Sequence, residues 1–149
     1  MDATVISVNL SEKKGTVKRP ISKGLLVAGS GLEGDAHAGA WHRQVSLLAR
    51  ESIDKMREYG LDELEPGIFA ENITTQGIVL NTLPVGERLQ IGACVLRVTQ
   101  IGKECHNDCA IKKATGTCVM PTEGIFVAVL KEGAVRAGDP VEIIEEAET

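Results

Sequence analysis

Three cysteines and a histidine, Cys105, His106, Cys109 and Cys118, fall within fourteen residues of one another, in the run Ile101-Gly-Lys-Glu-Cys-His-Asn-Asp-Cys-Ala-Ile-Lys-Lys113 and the following Gly116-Thr-Cys118. The thiolate is the nucleophilic and metal-ligating form of cysteine. Lys103, His106, Lys112 and Lys113 are cations close in sequence that favour it, while Glu104 and Asp108 oppose it. Two chemistries compete for Cys105, Cys109 and Cys118: a reactive thiol, or a structural zinc site completed by His106. Structural zinc commonly shows cysteine pairs at both ends of its ligand set, and here Cys118 stands alone. A reversible Cys105–Cys109 bond is a further alternative. Cys94 differs from these three. It alternates with Leu96 and Val98 on the apolar face of a strand and reads as a buried small hydrophobe.

A second constellation, Gly31-Leu-Glu-Gly-Asp-Ala-His-Ala-Gly-Ala-Trp-His-Arg-Gln44, puts Asp35, His37, His42 and Arg43 on a glycine-flexed loop. Backbone N–H groups beside a guanidinium and two imidazoles suit a phosphate or a pterin. Metal ligation by His37 and His42 competes with that reading, as does plain hydrogen bonding of the loop to the body of the fold. Further on, Glu71 and Asn72 interrupt the apolar stretch Gly67-Ile-Phe-Ala-Glu-Asn-Ile-Thr74. Buried polar side chains need partners, so this pair either ties two strands together or faces a ligand.

These residues need elements to position them. Thr4 to Leu10, with Ile6, Val8 and Leu10 on one face, has the period of a half-buried strand. Lys23 to Gly39 carries Gly24, Gly29, Gly31, Gly34 and Gly39 with no helical period, so strand and loop are expected there. Val45, Leu48, Ala49, Ile53 and Met56 predict one amphipathic helix from about Val45 to Tyr59, stopped by Gly60. Short strands are predicted at Glu71–Thr75, Glu87–Ile91, Cys94–Ile101, Gly124–Leu130 and Val141–Ile144, with turns at Lys131-Glu132-Gly133 and Ala137-Gly138-Asp139-Pro140. The expected architecture is mainly β, a closed or partly closed β-barrel with a few peripheral helices, because closure removes exposed strand edges.

A chain of 149 residues fits a single domain spanning 1–149 with a core that needs no staples. Aromatics make up only 3% of it, so Val, Ile, Leu and Ala must fill the interior. The net charge of −5 argues against a broad nucleic-acid footprint. No apolar run is long enough to span a membrane, and the first residues show no export pattern. Cytoplasmic residence is expected, where thiols stay reduced and the four cysteines form no disulfide framework.

Four stretches, in order, resemble the MOSC family, named for the C-terminal domain of molybdenum cofactor sulfurase: Gly34-Asp-Ala-His37 with His42-Arg-Gln44, Ala70-Glu-Asn-Ile-Thr74, Val85-Gly-Glu-Arg-Leu-Gln-Ile-Gly92, and the cysteine segment closed by Gly138-Asp-Pro-Val141. The resemblance implies a mainly β fold of the closed-barrel kind and a pocket for the pterin cofactor that bears molybdenum. It also implies one key cysteine soon after the strand that follows the Val-Gly-Glu-Arg-Leu turn, a position held here by Cys105. In the family this cysteine carries sulfur to the cofactor, as a persulfide received from a pyridoxal-phosphate-dependent desulfurase, or ligates molybdenum in reductases of N-hydroxylated compounds. On that reading Asp35, His37, His42, Arg43, Asn72 and Lys103 bind the cofactor, and Cys105 is catalytic or the metal ligand. Cys109 and Cys118 become additional relay or resolving thiols. Gly-Lys-Glu precedes Cys105 where the family often has Arg-x-Pro. The partners implied are a molybdopterin-type small molecule and a cysteine desulfurase or a molybdoenzyme. A non-catalytic zinc or pterin-binding module acting as cofactor chaperone is the alternative from another functional class.

Overall fold

A computed structural model describes residues 3–13, 18–56, 66–67, 69, 71–102 and 123–144. At its centre lies the run Val45-Ser-Leu-Leu-Ala49, every residue of which is buried. A strand with apolar side chains on both faces needs cover on both. This one pairs in parallel with Ile73–Gln76 on one side and antiparallel with Ile125–Lys131 on the other. Numbered along the chain, the strands are β1 (Thr4–Leu10), β2 (Arg19–Ile21), β3 (Gly24–Val27), β4 (Gly31–Leu32), β5 (Val45–Ala49), β6 (Ile73–Gln76), β7 (Arg88–Ile91), β8 (Cys94–Ile101), β9 (Ile125–Lys131), β10 (Gly133–Val135) and β11 (Val141–Ile144). The main sheet runs β11-β7-β8-β9-β5-β6-β1-β2, and β10-β3-β4 form a smaller one. One buried apolar cluster, with Val8, Leu26, Leu47, Ile73, Leu96 and Val135 among its members, joins the two. Full burial of each large aliphatic side chain contributes about 1.5–3 kcal/mol.

β1, β8 and β11 fall at their predicted limits. Within β1 the register shifts between Val5 and Ser7, so that Val5 and Val8 enter the core while Ile6 and Leu10 stay half-buried. The predicted face of Ile6, Val8 and Leu10 is broken by that bulge. Cys94 is fully buried, in keeping with its reading as a core residue.

Three expectations are corrected. The helix predicted from Val45 to Tyr59 is strand β5 followed by a helix, α1, over only Arg50–Lys55; Tyr59 and Gly60 lie outside the described residues. A strand covered on both faces shows no polar alternation, so its apolar residues fall into apparent helical step with Ile53 and Met56. The expected turn at Lys131–Gly133 is shorter, since β9 runs through Lys131 and Gly133 already opens β10, which pairs with β3. Finally, among the described residues no sheet closes into a barrel. Among the described residues, the segment leading into β11 meets β1 at an isolated bridge between Thr4 and Pro140, with Val5 N donating to Asp139 O (2.8 Å), Val141 N to Ala3 O (2.9 Å) and Gly138 N to Val5 O (2.7 Å). Thr4 and Pro140 are a non-hydrogen-bonded pair, and the pairing stops there because Asp139 N turns back to Arg136 O (3.2 Å); the other half of the β1 edge is taken by β2 through Val8–Ile21 and Leu10–Arg19.

Candidate functional site

The loop from Asp35 to Arg43 joins β4 to β5 and is fastened at both ends. At its first end, Asp35 Oδ1 accepts from Ser11 N (3.1 Å) and from Lys18 Nζ (2.8 Å), and the side chains of the Lys18–Asp35 ion pair are fully buried. Lys18 Nζ also donates to Ser11 Oγ (3.0 Å) and lies 3.1 Å from His37 Nδ1. Asp35 Oδ2 accepts from His37 N (3.0 Å), and Trp41 Nε1 donates to His37 O (2.8 Å). Two charges taken out of water are tolerated only when their remaining protons and lone pairs find partners. Burial pushes the Asp35 carboxyl up, but the hydrogen bonds from His37, Lys18 and Ser11 outweigh it and hold the group well below the usual carboxylate range.

The other end of the loop is less enclosed, with His42 exposed and Arg43 half-buried. Arg43 Nε (3.0 Å) and His42 Nε2 (2.9 Å) converge on Gln100 Oε1, while Gln100 Nε2 donates to Gly102 O (2.8 Å). The arginine donor and the glycine acceptor together fix the orientation of the amide, and its oxygen requires His42 to carry a proton on Nε2. The Arg43 guanidinium lies over the Phe126 ring at 5.2 Å, and the Thr99 hydroxyl bonds the His42 and Phe126 carbonyls. The two Arg43 Nη groups bond no other described residue. Gly102 N donates to Gly124 O (2.7 Å), so the connection from β8 to β9 departs and returns at one point, beside the Gln100 clasp.

Asn72 belongs to a third group. Its Oδ1 accepts from Ser46 N (2.9 Å) and Ser46 Oγ (3.2 Å), and its Nδ2 donates to Asn9 O (3.4 Å), tying β5, β6 and β1 together. Neighbouring Glu71 is completely buried and accepts from Gly67 N (3.0 Å), Phe69 N (3.2 Å) and Thr74 Oγ1 (2.8 Å). Burial pushes its carboxyl up despite those donors. Gly67 joins this network to the first, because its carbonyl accepts from Lys18 N (2.9 Å). With φ at +92° and a Cβ that would sit 2.2 Å from Lys18 O, only glycine fits at that crossing.

The MOSC domain family model matches residues 34–142, well over half of the sequence. The chain belongs to the MOSC domain family. The uncharacterized protein YflK of Bacillus subtilis is 24% identical over 166 residues, covering 97% of this chain and 75% of its own length. Among solved structures, YuaD from Bacillus subtilis is similar with a TM-score of 0.80 at 20% identity, covering 96% of each chain. YiiM from Geobacillus stearothermophilus gives a TM-score of 0.73 at 19% identity, over 96% of this chain and 75% of its own. At those identities the likeness to solved structures speaks for the fold.

Of the residues the sequence singled out in this MOSC domain, the structure brings Asp35 to His37 and His42 to Arg43, at opposite ends of one loop. It keeps Asn72 apart, with its amide spent on strands. Lys103, Cys105, Cys109 and Cys118 lie outside the described residues. Among the described residues no group of three His, Cys, Asp or Glu side chains is arranged to hold a metal ion. Sequence reasoning missed Lys18, Ser11 and Gln100. Lys18 and Asp35 are seventeen residues apart in sequence and belong to no common motif. Gln100 had a weak signal, as a polar residue at the end of an apolar strand just ahead of the cysteine segment.

Proposed function

We propose that this MOSC domain binds a molybdenum-pterin cofactor and that Cys105 carries or transfers sulfur to it. The observation that supports this reading is the clasp of His42 and Arg43 on Gln100, at the point where the chain leaves β8 for the cysteine segment. Cys105 follows Gly102 by three residues, a chain length of about 11 Å at most. A pterin phosphate needs cationic donors open to solvent, and the donor set fits: Arg43 has Nε committed to orientation and its Nη groups uncommitted among the described residues, with exposed His42 beside it.

In this reading Arg43, His37 and Lys103 hold the phosphate end of the cofactor, and the buried Lys18–Asp35 pair keeps the loop in place. When bound, the cofactor supplies a molybdenum–dithiolene centre that can accept sulfur. The Cys105 thiolate attacks the outer sulfur of a donor persulfide; an S–S bond forms to Cys105 as the donor leaves as a thiolate, with no external oxidant needed. A cysteine desulfurase is the donor of that chemical class, and Cys109 and Cys118 are resolving thiols. The test is to load purified protein with the cofactor, or with a persulfide donor, and compare wild type with Cys105→Ser by elemental analysis and intact mass. Wild type is expected to hold an added sulfur that the variant lacks; equal loading of the two overturns the assignment.

A further inference from the structure

The buried Lys18 ammonium is a charge that the proposed chemistry does not use. It carries three protons and no lone pair, and its side chain is wholly out of water. Three acceptors surround it: Asp35 Oδ1 at 2.8 Å, Ser11 Oγ at 3.0 Å and His37 Nδ1 at 3.1 Å. The first two take one proton each. The third proton has Nδ1 as its partner, and that contact is a hydrogen bond only if Nδ1 presents its lone pair. A proton on Nδ1 would set donor against donor at 3.1 Å beside a fully buried ammonium. The other carboxylate oxygen, Asp35 Oδ2, lies 3.7 Å from Nδ1, too far for a good hydrogen bond, and already accepts from His37 N at 3.0 Å.

We infer that Lys18 is a positioning residue for His37: it fixes the neutral imidazole as the tautomer protonated on Nε2, so that this ring meets a ligand as a hydrogen-bond donor and not as a base. The ring is one-third exposed, with its backbone pinned on both sides by Asp35 Oδ2 and Trp41 Nε1. Once Nδ1 is capped by Lys18, no lone pair remains for an incoming group. The ligand chemistry selected is an acceptor, such as a phosphate oxygen or a pterin carbonyl. Metal ligation and proton abstraction by His37 are both disfavoured. The identity of that ligand rests on the cofactor reading above; the tautomer does not.

Nitrogen-15 NMR of histidine-labelled full-length protein separates the two. The chain has three histidines, so His37→Gln assigns the His37 signals by difference. In wild type, Nδ1 is expected at the position of an unprotonated ring nitrogen and Nε2 at that of a protonated one. In Lys18→Met the two signals are expected to move toward each other as the tautomers mix, and affinity for the isolated cofactor to fall roughly 3- to 10-fold. A protonated Nδ1 in wild type, or an unchanged pattern in Lys18→Met, overturns the inference. Poor folding of Lys18→Met leaves the wild-type spectrum to decide. Wild-type protein with the expected tautomer but no affinity for the cofactor sinks the proposed function and leaves the Lys18–His37 assignment standing.

Discussion

The two ends of the Asp35–Arg43 loop are built from similar residue types and reach opposite states. At the Asp35 end a cation and a carboxylate are sealed from water, and the inner nitrogen of a one-third exposed imidazole completes their hydrogen bonding. At the Arg43 end a half-buried cation and an exposed imidazole share a single amide oxygen, and the guanidinium keeps donors to spare among the described residues. The difference lies in the supply of acceptors. Among the described residues Lys18 meets three of them within 3.1 Å, whereas Arg43 and His42 meet one side-chain acceptor between them. A self-satisfied charge cluster holds a loop in shape; an undersupplied one is left to bind something else.

Breaking the sealed end produces the largest expected effect. Asp35→Ala leaves a buried ammonium without its counter-charge, and urea unfolding is expected to show a loss of about 3–5 kcal/mol. The double replacement Lys18→Met with Asp35→Leu removes both charges and is expected to recover most of that loss, since an apolar pair of similar bulk often substitutes for a buried ion pair. Equal instability of the single and double variants would show that the pair matters through shape and not through charge.

Acid probes the same end without mutation. The folded Asp35 carboxyl sits below its ordinary value of 3.8, so it contributes stability that is fully present above that pH and drains away as pH falls toward the folded value. Glu71 has the opposite sign. Burial raises its folded value above 4.5, so its contribution is full below that pH and is lost as pH rises through the folded value. Stability should therefore climb on mild acidification and then fall. Denaturant unfolding across a pH series checks this: Glu71→Gln should abolish the climb and Asp35→Asn should blunt the fall. A climb that survives Glu71→Gln removes Glu71 from the account.

The open end is expected to answer in binding instead of stability. Arg43→Ala removes a charged donor from the cofactor phosphate and should weaken cofactor binding roughly 10- to 100-fold. It also loses its stacking on Phe126, a cation–π contact between a half-buried guanidinium and a buried ring worth about 1 kcal/mol. Equilibrium binding and thermal unfolding on one preparation separate the two. A large stability loss with unchanged binding would make the two ends of the loop alike.

How much of this was legible depends on where the determinants lie along the chain. The limits of β8 could be read because Cys94, Leu96 and Val98 alternate with half-exposed or exposed neighbours. The same signal failed at Val45–Ala49, where both faces are covered and the alternation that marks a strand is absent. Asp35, His37, His42 and Arg43 stood out because they crowd one short loop, but their division into sealed and open ends was hidden. It is decided by Lys18, Ser11 and Gln100, which reach the loop from separate strands and connections. Closure of the sheet was over-read for a related reason: strand count and turn spacing carry no record of Asp139 N turning back to Arg136 O where the pairing with β1 would have to continue.

Gln100→Leu is the mildest change and the finest test of the contrast. It keeps most of the bulk and deletes the one oxygen on which Arg43 and His42 converge, together with the amide donor to Gly102 O. His42 is exposed and Arg43 half-buried, so both can be resolvated. The carbonyl of buried Gly102 loses its donor, however, and the stability loss should be about 1 kcal/mol, below that of Asp35→Ala. Arg43 keeps its stacking on Phe126 and loses only the bond that aims it, which predicts a loss of cofactor affinity of roughly 3-fold, smaller than for Arg43→Ala. An effect on unfolding comparable to that of Asp35→Ala would mean that the clasp holds the β8–β9 end together, and that the open end of the loop is structural after all.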